Sequence, residues 1–254
     1  MGALGFGVDV GGSGVKGAIV DLDNGRLVED RIKIETPRPA TPDAVAATVA
    51  EIVLRAGWDG PVGITIPGVV TSGIARSAAN IDSSWIGTDA RAAFSQALGG
   101  REVVVLNDAD AAGLAEDRYG AGKDVGGVVV LLTFGTGIGS AIIHDGVLLP
   151  NTELGHVEVG GKEAEHRAAS SVKETKGLSY KEWAAEVTEV LRHFEDLLWP
   201  DLFIVGGGIS RKHEKWIPRL ENRTPVVPAA LLNNAGIVGA ALCATNRQET
   251  GIAP

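Results

Sequence analysis

Cysteine is almost absent from this 254-residue chain: Cys243 is the only one. A single thiol excludes a disulfide framework and a multi-cysteine metal site within one chain. No apolar run is long enough for a membrane span, and no signal peptide precedes the first strand-like segment, so a cytoplasmic protein without a membrane partner is expected. Positive charge is also short. Lysine and arginine number 23 against 32 aspartates and glutamates, for a net charge of −9. That balance argues against a nucleic-acid partner. It leaves an anionic substrate open, because local clusters and metal ions outweigh the total. No Pro/Ser-rich linker divides the chain, and its length suits one large or two modest domains.

Glycine is plentiful, with 35 residues gathered in turns beside apolar runs. The first gathering, GVDVGGSGVKGAIVDLDNG from Gly7, contains G-x-G-x-x-G at Gly12, Gly14 and Gly17. A dinucleotide site needs those glycines between a strand and a helix. Here the following AIVDLDNGRLV is β-branched and alternating, and Asp23-Asn24-Gly25 breaks it as a hairpin turn does. The glycines therefore join two antiparallel strands. A P-loop is excluded as well, because Lys16 precedes Gly17 and not Ser or Thr.

The pattern occurs twice. LLTFGTGIGSAIIHDGVLL, from Leu131, again runs strand, glycine turn, strand, then Asp145-Gly146 as a second turn. Overlay pairs Asp9 with Thr133, Gly11 with Gly135, Gly14 with Gly137 and Gly17 with Gly139. Each hairpin is followed by a helix, a strand and a glycine turn: residues 43–57 then VGITIPGVV in the first half, residues 179–198 then LFIVGGG in the second. Ser179 and Glu182 form a capping box at the start of the second of these helices. Further helices are expected at 88–99, 108–119, 162–176 and 234–245. A pair of glycine hairpins suits a phosphate chain, since glycine lets backbone approach and consecutive N–H groups make anion-binding concavities. Two tight hairpins with no ligand are the alternative.

Four segments in order, DVGGSGVKG, LTFGTGIGS, NDADAAGLAE from Asn107 and ELGH from Glu153, resemble the ROK (repressor, open reading frame, kinase) sugar kinases. The resemblance covers about residues 6–242. The GGSGVKGA form of the first turn is similar to the polyphosphate-dependent glucokinase and glucomannokinase branch. It implies an α/β protein with the duplicated actin-like ATPase (ribonuclease H-like) fold, two α/β domains around a cleft. The expected domains are 1–112 and 113–239, with a helix at about 240–254 packing back on the first. The implied reaction is phosphoryl transfer from inorganic polyphosphate, and also ATP, to the 6-hydroxyl of glucose, with mannose as a second acceptor. An ATP-only hexose or amino-sugar kinase, a non-catalytic sugar sensor and a filament-forming protein are the alternatives. A monomer or homodimer is expected.

The resemblance also implies residue roles. Asp108 becomes the general base for the sugar hydroxyl; by itself it also reads as an acid favoured at a helix start. Asn107, Glu153, His156 and Glu165 would hold the sugar, as would Asn80, which reads equally as a turn asparagine. The phosphate donor would lie on Asp9, Gly11, Gly12, Ser13, Gly14 and Lys16 of the first turn and on Thr133, Gly135, Thr136 and Gly137 of the second. Gly207 and Gly208 match a position where backbone nears a nucleotide, or form a plain strand-to-helix turn. Asp9 would hold Mg²⁺ through water. Glu153, His156 and Glu158 could suggest a metal site, yet the segment has no second histidine at a helical ligand spacing. Where many family members carry a zinc-binding cysteine cluster, this chain reads VEVGGKEAEHRAAS, so no structural zinc is expected. Finally, a helix over 162–176 would align Lys162, His166, Lys173 and Lys176 in one stripe able to guide a polyanion. A solvated face of mixed charge is the alternative.

Overall fold

The computed structural model describes residues 2–245. They form two compact units: unit 1 from the N-terminus to Ala115 plus the chain from Asn234, and unit 2 from Glu116 to Asn233.

In unit 1, β1 (Leu4–Val10), β2 (Val15–Asp21), β3 (Arg26–Leu27), β4 (Ile32–Ile34) and β5 (Val62–Ile66) precede a small hairpin of β6 (Val70–Thr71) and β7 (Ile74–Ala75), then β8 (Val103–Asn107). The sheet order is β3-β2-β1-β5-β8, with β4 also on β2; β1–β2 is antiparallel, and β1–β5 and β5–β8 are parallel. Helices α1 (Pro42–Arg55), α2 (Ala90–Ala97) and α3 (Asp108–Tyr119) complete this part, and the unit boundary falls within α3.

Unit 2 repeats the plan. Its main strands are β9 (Val128–Phe134), β10 (Ile138–His144) and β11 (Val147–Leu149); a hairpin of β12 (Glu158–Val159) and β13 (Lys162–Glu163) comes next. Then follow α4 (Ala164–Ala168), α5 (Ser170–Thr175), α6 (Tyr180–Leu198), β14 (Leu202–Gly206) and β15 (Val226–Pro228). The order β11-β10-β9-β14-β15 has the same sequence of antiparallel and parallel pairings as unit 1. Helix α7 (Ala235–Thr245) belongs to unit 1. Of the helix expected at about 240–254, residues 246–254 lie outside the described residues.

Local chemistry accounts for many boundaries. The Ser179 hydroxyl accepts from Glu182 N at 3.2 Å while the Glu182 carboxylate accepts from Ser179 N at 2.8 Å, completing the capping box. Asp145 and Gly146 both have positive φ (49° and 81°), as a two-residue hairpin turn requires. Tertiary packing fixes α7. Gly7 and Gly63 are register partners on β1 and β5, and a Cβ on either would lie 1.8 Å from an α7 carbonyl, Ile237 O or Ala240 O. The helix backbone thus rests directly on the sheet, and Ile237–Ala244 are all buried.

Two expectations need correction. The strand register places Lys16 opposite Asp9 and Gly139 opposite Thr133. Gly139 therefore corresponds to Lys16, not to Gly17; the first turn holds one more residue between its strands than the second. The helix expected over 162–176 is not continuous. Lys162 and Glu163 are in β13, and Ala169 is extended (ψ 151°) between α4 and α5. At that break Ser170 Oγ donates to Gly135 O at 3.0 Å and Ser171 Oγ to Thr136 O at 2.7 Å, pulling the chain onto the glycine turn. The proposed stripe of Lys162, His166, Lys173 and Lys176 therefore does not exist as one helical face.

Candidate active site

The unit 1 constellation sits at the carboxyl ends of the parallel strands β1, β5 and β8, the edge where open α/β sheets bind ligands. The β1–β2 turn is closed by Gly11 N donating to Gly14 O at 3.1 Å. Beside it, Asp9 Oδ2 accepts from Lys16 Nζ at 3.3 Å and Asp9 Oδ1 from the Thr65 hydroxyl at 3.1 Å. Asn80 is exposed with φ 61°, and its Cβ and carbonyl would lie 3.0 Å from a Cβ on Gly12. Positive φ is characteristic of turn asparagines, and here the turn carries Asn80 to the glycine loop. Ser13 is exposed at the tip.

Asn107 ends β8 and is buried; its amide oxygen accepts from Ala109 N at 2.7 Å and Asp110 N at 3.1 Å, and its amide nitrogen donates to Gly68 O at 3.1 Å. It caps α3 as well as lining the strand edge. Asp108 follows at the first position of α3, half-buried, with Oδ1 accepting from Ala109 N at 2.9 Å.

In unit 2 the β9–β10 turn is closed by Gly135 N to Gly137 O at 2.9 Å. Thr133 lies at the end of β9 opposite Gly206 of β14, and Thr136 is exposed. Gly207 has φ 83°, and a Cβ there would lie 2.2 Å from Phe134 O, so only glycine fits between the two strand ends; Gly208 follows in open space. Phe134 itself packs edge-on against Trp183 and Trp216, at 5.7 and 5.9 Å between centroids, which anchors the turn in the core.

The ELGH segment is held by Ser140, whose hydroxyl accepts from Leu154 N at 3.0 Å and donates to Thr152 O at 2.5 Å. Glu153, His156 and Glu165 converge, joined by Glu163. His156 Nε2 lies 3.8 Å from Glu153 Oε2, and His156 Nδ1 lies 3.2 Å from Glu163 Oε2. Glu165 Oε2 accepts from Ile138 N at 3.3 Å, directly under the Gly137 turn. Glu158 faces Glu163 across the β12–β13 hairpin and is exposed. Burial pushes the Glu153 carboxyl up, partly offset by His156 and reinforced by Glu165. The hydrogen bond that the His156 ring donates to the Glu163 carboxylate pushes His156 up against an opposing effect of burial, with Glu165, Glu163 and Glu153 adding to the rise. Among the described residues, His156, Glu163 and Glu165 form one group whose ligand atoms all lie within 4.8 Å, close enough to hold a metal ion.

Residues 5–171 match the ROK family. The chain belongs to that family. A polyphosphate glucokinase of Mycobacterium tuberculosis (strain CDC 1551 / Oshkosh) is 69% identical over 238 residues, 94% of this chain and 90% of that protein. The crystal structure of an inorganic polyphosphate/ATP-glucomannokinase from Arthrobacter sp. strain KM superposes with TM-score 0.91 at 49% identity, covering 97% of this chain and 100% of that one. A ROK glucokinase from Streptomyces griseus, solved with glucose and AMPPNP, gives TM-score 0.80 at 26% identity, covering 96% and 100%. The duplicated sheets described above are those of the actin-like ATPase fold of these ROK kinases.

Within unit 1 the structure brings Asp9, Gly11, Gly12, Ser13, Gly14, Lys16 and Asn80 to one turn and Asn107 and Asp108 to one strand end. Within unit 2 it gathers Glu153, His156 and Glu165, joins them through Glu165 to the glycine turn at Gly137, and sets Gly207 against the strand end that leads into that turn. Sequence reasoning passed over Thr65, Lys33 and Glu163. Thr65, the one hydroxyl in the buried strand VGITI, was detectable as a polar residue with no solvent to face. Lys33 carried no local signal; it stands opposite Lys16 on β4, a like-charged cross-strand pair beside Gly14.

Proposed function

We propose that this ROK protein is a glucokinase that transfers a phosphoryl group from inorganic polyphosphate, with ATP as a second donor, to the 6-hydroxyl of glucose, with mannose as an alternative acceptor. The observation that carries this reading is the 69% identity across 94% of the chain to a polyphosphate glucokinase. The glucomannokinase structure supports the second acceptor and the second donor.

In this reading the sugar oxygen forms a bond to the terminal phosphorus, the phosphoanhydride bond to the next phosphate breaks, and the hydroxyl proton passes to Asp108. The Ala109 N–H on Asp108 Oδ1 fixes the carboxylate at the start of α3. Glu153, His156 and Glu165 hold the sugar hydroxyls, as does Asn80, and the Asn107 cap keeps Asp108 in register. The two glycine turns, with Gly207 and Gly208, receive the donor phosphates.

A divalent cation supplies charge neutralisation at the phosphates. Asp9 suits Mg²⁺ held through water. Among the described residues it belongs to no group of three ligating side chains, and Mg²⁺ characteristically takes one or two carboxylates and completes its shell with water and phosphate oxygens. In place of a cysteine cluster, Glu163 engages His156 directly.

The test is a matrix of polyphosphate and ATP against glucose, mannose and N-acetylated hexosamines, with purified protein and Mg²⁺. Polyphosphate-driven formation of glucose 6-phosphate is expected. Turnover with ATP alone, or no turnover with any donor, refutes the proposal.

A further inference from the structure

We propose that unit 2 carries a subsite for the distal phosphates of a long polyphosphate chain, formed by Lys173, Lys215 and the face of Tyr180; the proposal rests on the polyphosphate reading above. Lys173 Nζ lies 4.3 Å and Lys215 Nζ 5.7 Å from the centre of the same Tyr180 ring. Two ammonium groups on one ring repel each other, and neither makes an ion pair among the described residues. The ring quadrupole offsets part of that repulsion, and a polyanion removes the rest.

The surroundings are cationic in an acidic protein. Residues 173–181 and 208–219 together contain seven lysines and arginines against two glutamates, in a chain of net charge −9. Lys215 is exposed, while Lys173 and Tyr180 are half-buried and so held in place.

Both lysine-bearing segments start at the second glycine turn. Helix α5 is tied to it by Ser171 N on Gly135 O at 3.1 Å and by the Ser170 and Ser171 hydroxyls. Lys173 follows within one helical turn, about 5 Å of rise. The 208–215 segment begins where Gly207 meets Phe134 O, the last carbonyl before the turn. A phosphate chain whose reacting end occupies Gly135–Gly137 therefore has a cationic path outward between these two segments. ATP is too short in phosphates to use it.

The subsite is tested by Lys173→Gln/Lys215→Gln in the full chain, with Lys123→Gln, outside both segments, as control. The assay compares KM for long-chain polyphosphate, tripolyphosphate, ATP and glucose. Two solvent-accessible charge contacts at about 0.2–1 kcal/mol each correspond to a rise of roughly two- to thirtyfold in KM for the long chain. KM for ATP and glucose should stay within about twofold, and the salt dependence of the long-chain KM should weaken, because fewer cations contact the polyanion. Equal weakening of ATP and polyphosphate, or an unchanged long-chain KM, overturns the subsite while leaving the functional reading intact. A wild-type protein that does not turn over polyphosphate overturns both, and the wild-type arm tells the two failures apart.

Discussion

Asn107→Ala should destabilise the protein as well as impair catalysis, because the Asn107 amide is already committed to the scaffold on both its oxygen and its nitrogen. The oxygen accepts from two backbone N–H groups, Ala109 and Asp110, that an α-helix leaves without intrahelical partners. Replacing an N-cap asparagine by alanine costs about 0.5–2 kcal/mol. The nitrogen donates to the Gly68 carbonyl in a buried setting, and losing that partner costs about 1 kcal/mol more. The total is roughly 1.5–3 kcal/mol. Asn107→Ser separates the two contributions: its hydroxyl oxygen remains a good N-cap acceptor while the donor to Gly68 is lost, so its cost should fall near ~1 kcal/mol, on the order of one lost buried hydrogen bond. Urea unfolding followed by tryptophan fluorescence measures both variants, with initial rates measured in parallel. Because Asp108 rides on the turn that Asn107 caps, kcat should fall in Asn107→Ala beyond any change in KM for glucose. An Asn107→Ala protein of wild-type stability that has lost only glucose affinity would refute the capping argument and leave Asn107 as a sugar ligand alone.

Three further outcomes are expected. Asp108→Asn, nearly isosteric, should bind glucose normally by calorimetry while kcat drops by ~10²–10⁴-fold, the usual cost of removing a general base; a variant keeping most of its kcat excludes Asp108 from that role. Glu163→Gln should move the His156 titration, followed by NMR, down toward the ordinary histidine value. Since the folded state raises the His156 pKa, the stability this contact contributes is fully present below the unfolded value, about 6.5, and is lost as pH rises through the folded one. Wild type and Glu163→Gln should thus differ most in mild acid, and a difference that grows with pH contradicts the contact. Gly63→Ala places a methyl group 1.8 Å from Ala240 O and must push α7 off β5; thermal unfolding should fall by several degrees at least, and a wild-type melting temperature would show that α7 does not rest on the sheet.

The local half of the architecture was written in adjacent residues. Both glycine hairpins, the DG turn at Asp145-Gly146, the capping box of Ser179 and Glu182 and the start of α3 at Asp108 depend on interactions within a few positions, and such patterns survive in any tertiary context. The duplication was legible for the same reason, since each hairpin announces its own sheet. Charge periodicity misled over 162–176 because a helical stripe was satisfied on paper while hydroxyls of Ser170 and Ser171 had partners on a turn 35 residues away. His156 with Glu163 depends on the β12–β13 hairpin reversing the chain, and Lys173 with Lys215 on two segments meeting over Tyr180. Gly7 and Gly63 look like ordinary strand glycines until α7, more than 170 residues later, is laid across them. Sequence alone determined which short segments turn, cap and pair, because their energies are set by neighbours along the chain; only the tertiary structure decided which charges share a site, because that is set by distances the chain closes when it folds.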